Sequence, residues 1–91
     1  MMILTNLYTI GTTRQEIVGP AIQRQVVHLH NQMKAGNHYI HIGNETVTTT
    51  NSIHLDTAES KTITLEPADS LWAVATAAGQ DLGVLIVRQS Q

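Results

Sequence analysis

Histidine is the residue type whose number and spacing suggest chemistry in this chain: five of 91 residues, at positions 28, 30, 38, 41 and 54. His28-Leu29-His30 is a His-x-His pair. Residues two apart in an extended strand share a face, so both imidazoles can reach one point, and His41 from a neighbouring strand could add a third metal ligand. With no cysteine in the sequence, metal chemistry would rest on imidazole and carboxylate alone. A plainer role fits the same positions. Val27 and Leu29 alternate with His28 and His30, and Ile40 and Ile42 alternate with Tyr39 and His41, which puts the histidines on the polar face of half-buried strands. His38 and His41 lie three apart and so point to opposite faces. No carboxylate sits in either segment to orient an imidazole, as metal-bound histidines usually require. The expectation is therefore no metal and no cofactor, with His28, His30 and His41 as the set to locate in the fold.

Other constellations are weaker. A His-x-His pair in a β-rich chain invites a cupin reading, but His30 is followed by Asn31, Gln32, Met33, Lys34 and Ala35, without the expected glutamate or a second histidine motif. Ser52, Ser60, Ser70 and Ser90 fall in turns or the tail, and none stands in a Gly-x-Ser-x-Gly elbow. Asp56, Glu59, Glu66, Asp69 and Asp81 fall where strands end, which reads as turn chemistry rather than a carboxylate pair across a cleft. There is no Walker A loop and no dinucleotide glycine fingerprint. Asn44-Glu45-Thr46 matches a glycosylation sequon but follows no export signal. Trp72 reads as a core anchor. No catalytic residue is expected, and the chain is not expected to be an enzyme.

The elements that would position these residues are strands. Twelve Thr, nine Ile and seven Val make the chain rich in β-branched residues, which favour a pleated, half-buried surface. Val27 and Leu29 define a strand over Arg24–Asn31. After the turn residues Lys34, Ala35 and Gly36, Asn37 opens a second run, and Gly43-Asn44 predicts a tight hairpin returning over Glu45–Thr50. Ile53 and Leu55 point together in a short segment. Lys61–Glu66 alternates with Ile63 and Leu65 inward, and Pro67 stops it. Leu71–Ala75 and Leu82–Val87, joined by Ala77-Ala78-Gly79-Gln80, are apolar at nearly every position, so both their faces should be covered, inside a sandwich or at a subunit interface.

These signals predict an all-β chain: a compact antiparallel β-sandwich or barrel of about seven to eight short strands, with jelly-roll-like connections among the candidate orders. Residues 21–91 form the single sandwich domain, and residues 1–20 are an N-terminal arm or an edge strand. Phe is absent and only one Trp and two Tyr occur, so the core is aliphatic. A chain this small buries only about 60–65% of its unfolded surface, which leaves a lone monomer marginal and favours a homo-oligomer. A formal net charge of −2, with five dispersed Lys and Arg, argues against nucleic acid as a partner. No apolar run approaches the roughly 20 residues of a membrane span, and Met1–Thr5 lacks the basic lead of a signal peptide. The expectation is no membrane partner and a chain made in the cytoplasm.

A further pattern runs across residues 23–88: Val26-Val27-His28-Leu29-His30-Asn31, Tyr39-Ile40-His41-Ile42-Gly43, Val47-Thr48-Thr49-Thr50-Asn51, Glu59-Ser60, Asp69-Ser70-Leu71-Trp72-Ala73 and Leu85-Ile86-Val87. It resembles small bacteriophage virion proteins, in which a strand ending in Asn, an Ile-Gly hairpin, a Val-Thr-Thr-x-Asn segment and a Gly-Glu-Ser turn precede two closing strands. Two turn positions depart from that pattern: Ser52 and Ala58 stand where glycine is usual. The resemblance implies a capsid decoration or cement protein on the phage head surface. Its partners would be the major capsid protein and its own copies, as dimers or trimers, and the N-terminal segment would be a capsid-contacting arm. A receptor- or glycan-binding module of a head fibre or tail is the alternative, although only Tyr8, Tyr39 and Trp72 could stack on a sugar.

Overall fold

The computed structural model describes residues 2–33, 38–50 and 53–88. Eight strands follow one another: β1 Met2–Ile10, β2 Gln15–Val18, β3 Gln25–Asn31, β4 Ile40–Gly43, β5 Ile53–Leu55, β6 Ser60–Leu65, β7 Leu71–Ala75 and β8 Gln80–Arg88. They form two four-stranded sheets. Sheet A has the order β1-β8-β3-β6 and sheet B the order β2-β7-β4-β5, with every neighbouring pair antiparallel. The chain changes sheet at every link except the β4–β5 hairpin. Eight strands connected in this way make a jelly roll, the two-sheet β-sandwich.

The pleat explains the core. In β3 the burial alternates, with Val27 and Leu29 inward and His28 exposed, as the spacing predicts. The inward aliphatic side chains of both sheets meet in one cluster that includes Ile10, Ile17, Leu29, Ile40, Leu55 and Leu82. Two buried polar residues close it at opposite ends of β3. Gln25 donates from Nε2 to the Gly19 carbonyl, 3.0 Å, and its Oε1 accepts from Arg88 Nε, 2.8 Å. Asn31 donates from Nδ2 to the Leu55 carbonyl, 3.3 Å, and accepts from Met33 N, 3.0 Å. A buried amide must be satisfied, and here each is satisfied by reaching toward the other sheet or its flanking loop.

The first twenty residues supply a strand to each sheet. β1 pairs with β8 from Met2↔Arg88 to Ile10↔Gln80, so residues 2–10 are an edge strand of sheet A rather than a free arm. Ile17 and Val18 of β2 enter the core from the edge of sheet B.

Two links between the sheets use the same turn. Asp69 N donates to the Glu66 carbonyl, 3.0 Å, around Pro67 and Ala68, and Glu59 N donates to the Asp56 carbonyl, 3.0 Å, around Thr57 and Ala58. Ala68 and Ala58 have φ of 74° and 63°, the third-position geometry of a type II turn. The acids lock these turns. Asp69 accepts from Glu66 N at 3.1 Å and Glu59 accepts from Asp56 N at 2.7 Å.

The expected return strand over Glu45–Thr50 is corrected. Asn44 Oδ1 accepts from Thr46 N, 2.9 Å, and Val47 N donates to the Asn44 carbonyl, 3.0 Å, so the backbone turns instead of pairing. The strand that returns beside β4 is β5, with Ile40 opposite Leu55 and His41 opposite His54. Within β5, Leu55 is buried while Ile53 is exposed. The turn expected at 34–36, the start of a strand at Asn37, and Asn51-Ser52 lie outside the described residues.

Candidate functional site

Sheet A presents three cross-strand rows on its outer face. The first is Ile3, Val87, Val26 and Thr64; the second is Thr5, Leu85, His28 and Thr62; the third is Leu7, Gly83, His30 and Ser60. The face grades from apolar to polar along the rows. It forms an open groove of about 860 Å³, lined among others by Thr5, Leu7, His28, Thr62, Gly83 and Leu85. Gly83 makes the floor. A Cβ there would come within 2.5 Å of Gln32 Nε2, so glycine lets that side chain lie close over β8.

Each histidine of the His-x-His pair hydrogen-bonds to its direct partner on β6. His28 Nδ1 lies 3.0 Å from Thr62 Oγ1 and His30 Nδ1 lies 2.7 Å from Ser60 Oγ. The rings are thereby oriented within the face. Among the described residues that line the groove Lys61 is the one with a formal charge, and none is a carboxylate. It offers hydroxyls, imidazoles and aliphatic side chains over a broad, shallow area. In it each imidazole of the pair is held by a hydroxyl, Thr62 or Ser60, so hydrogen-bonding and apolar groups lie side by side.

His41 does not join this pair. It lies on β4 in sheet B, whereas the neighbours of β3 are β8 and β6. The notion of a His28, His30 and His41 ligand set is corrected accordingly: a period of two assigns a face within a strand but says nothing about which strands share a sheet. Among the described residues no group of three His, Asp or Glu side chains could hold a metal ion.

His41 instead belongs to an aromatic cluster on the outer side of sheet B. Its ring centroid is 5.5 Å from that of His54, directly opposite on β5, and Tyr39 lies 4.7 Å from His54. Burial, and then the neighbouring His54 charge, hold the His41 imidazole below the usual histidine pKa. His54 Nε2 is 3.4 Å from Asp56 Oδ1, an ion pair whenever His54 is protonated.

The 44–50 segment folds over this side of the sandwich. Val47 is buried, and a Cβ placed on Gly43 would lie 3.0 Å from its Cγ2. Arg14 pins the segment by donating to the Glu45 carbonyl, 3.0 Å. Trp72 is half-buried on the same side, its Nε1 donating to Ser70 Oγ at 3.2 Å. It stands outside the aliphatic core cluster, which corrects its expected role as a core anchor. Ser60, assigned to a turn by its neighbours in sequence, is the first residue of β6 and a partner of His30.

No family model and no curated protein matches the chain. Among solved structures it is similar to a protein of Bacillus endospore appendages, described as a family of disulfide-linked pili: TM-score 0.62 and 18% identity over 98% of this chain and 87% of that one. The likeness is one of fold, and it agrees with the all-β sandwich.

Proposed function

We propose that this chain is a non-enzymatic structural protein of the bacteriophage virion, a capsid decoration or cement protein that lays the outer face of sheet A against the assembled head. One observation carries this reading. On the outer side of sheet B the chain's own Val47 packs over Gly43, while among the described residues the outer face of sheet A stays open and carries Leu85 and Val87 half-buried beside the exposed Ile3 and Leu7. The sequence resemblance supplies the setting and the major capsid protein as partner.

The mechanism is thermodynamic. A subunit that binds only the assembled shell shifts the balance toward that shell by mass action. Shape and hydrogen bonding would supply specificity, since Lys61 is the one formal charge among the described residues that line the groove. A virion-displayed glycan-binding module is less well supported, because no Tyr or Trp lines the groove.

The fold neighbour favours a second reading, a subunit that polymerises with itself into a fibre. Disulfide linkage has no counterpart here, because the chain contains no cysteine.

Cosedimentation of the purified chain with assembled capsid shells tests the first reading. Wild-type chain should pellet with shells and remain in solution with free capsid protein. Leu85→Lys should abolish pelleting, and Glu45→Lys on the covered side should not alter it. Equal binding by Leu85→Lys overturns the assignment of the face, and fibres of the chain alone in electron micrographs favour the second reading.

A further inference from the structure

We propose that the free edge of β1 is a self-pairing seam, at which a second copy of this chain adds its own β1 antiparallel across a two-fold axis and joins two A sheets into one eight-stranded sheet. This extends the homo-oligomer expected from the sequence and rests on the functional reading only for its setting. β1 is the edge strand of sheet A, paired on one side with β8. An edge strand offers a row of unpaired N–H and C=O groups, and proteins that stay monomeric blunt such edges with charge, proline, bulges or short length. β1 has none of these devices. It runs nine residues, Met-Ile-Leu-Thr-Asn-Leu-Tyr-Thr-Ile, without a charged residue or proline and in unbroken register. Met2, Ile3 and Leu7 along it are exposed.

The other sheet edges are blunted. β6 carries Lys61 and ends before Glu66-Pro67, β2 is four residues long with a register shift between Glu16 and Val18, and β5 is three residues long. A nine-residue edge finds a matching length only in another β1. Antiparallel pairing of a strand with itself also needs freedom from like charges facing one another across the axis, and an uncharged strand meets that condition. The pairing brings Ile3 and Leu7 of both copies to one seam and makes the two outer grooves continuous. An edge seam is small beside standard interfaces, which bury about 1,200–2,000 Å², so the dimer should dissociate on dilution.

Single cysteines report the seam cleanly in a chain that has none. Thr5→Cys, Asn6→Cys and Leu7→Cys would each place a thiol near the two-fold axis, and Thr64→Cys on β6 is the control. Light scattering across a concentration series should give twice the chain mass at the concentrated end. Mild oxidation should cross-link at least one β1 variant, because facing Cα atoms in an antiparallel pair lie within disulfide reach at about 4.5–5.5 Å, and should leave Thr64→Cys uncross-linked. Leu7→Lys, at an exposed site, should halve the mass while the chain stays folded by circular dichroism. A wild-type monomer at every concentration, cross-linking confined to Thr64→Cys, or a Leu7→Lys chain that keeps the dimer mass would each overturn the seam. Shell pelleting is read in parallel: a wild-type chain that is monomeric at every concentration yet pellets with shells removes the seam and leaves shell binding standing, whereas a cross-linked dimer that never pellets does the reverse.

Discussion

Sheets A and B have four strands each and share one aliphatic core, yet their outer faces are finished differently. On sheet B the chain doubles back: Val47 sits against Gly43, Arg14 holds the segment, and His41 and Val74 are buried. On sheet A no described segment beyond the Gln32 side chain lies over the face, and the outward residues of β8, Leu85 and Val87, are only half-buried among their cross-strand neighbours. The two apolar strands β7 and β8 look alike in sequence, both reading as covered on two sides. For β7 the cover is intramolecular. For β8 it is incomplete among the described residues, and the proposed shell contact rests on this asymmetry.

The sharpest way to break the comparison is within β8 itself. Leu82 faces the core and is fully buried, so Leu82→Ala should cost about 2–5 kcal/mol in chemical denaturation. Leu85 faces the groove, and Leu85→Ala should cost less than about 1 kcal/mol while weakening shell binding. If the two substitutions cost the same, the outer face of sheet A is as well covered as the inner one, and the asymmetry is lost.

A smaller effect tests the cover on sheet B. Val47→Ala should cost about 1.5 kcal/mol from lost burial. Gly43→Ala forces its methyl to within 3.0 Å of Val47 Cγ2 and should cost about 1 kcal/mol in the wild-type background. The two should be coupled. In a Val47→Ala background the Gly43→Ala penalty should shrink by at least about 0.5 kcal/mol, and strict additivity would mean that Val47 does not sit on Gly43.

The same cover gives sheet B a pH dependence. Burial first, and His54 second, depress the His41 pKa in the folded chain. The unfolded chain therefore binds more protons as pH falls through about 6.5, and folding stability should decline on acidification from pH 7 toward pH 5 and recover on return. His41→Gln should flatten that slope in melts taken across this range. An unchanged slope would assign the loss to other groups.

Much of this architecture was legible in the residues. The alternation in β3 and β6 set which side chains face inward, and Pro67 marked the end of β6. The sandwich class followed from strand count and composition, but not the strand order, because a period of two names a face and never a partner. For that reason the spacing alone groups His41 with His28 and His30, although β4 and β3 lie in different sheets. Glu45–Thr50 read as a strand because threonine favours strands, whereas the Asn44 side chain captures the Thr46 backbone and bends the segment away. The groove is half visible in the residues: alternation puts His28 and His30 on the polar face, but Thr5, Leu7 and Leu85 join them only through a register that spans the whole chain. Gln25 and Asn31 gave no signal as buried residues, since their burial depends on carbonyls of Gly19 and Leu55 arriving from elsewhere in the fold.

The smallest expected effect concerns the links rather than the faces, and it should be alike for both sheets. Ala58 carries the chain from β5 of sheet B to β6 of sheet A, and Ala68 carries it back to β7 of sheet B. Both sit at positive φ, 63° and 74°, where a Cβ costs roughly 1–2 kcal/mol. Glycine removes that strain but gives the unfolded chain more freedom, a loss of about 0.5–1 kcal/mol. The balance leaves a gain of about 0.5 kcal/mol for each of Ala58→Gly and Ala68→Gly, read as a shift in denaturation midpoint at unchanged slope. At the neighbouring second position of the turn, Pro67→Gly should act in the opposite direction, because proline already holds the negative φ that this position requires. A gain at Ala58 with a loss at Ala68 would mean that the two crossings are not the same turn. The pair of sheets would then differ in how they are joined as well as in how they are covered.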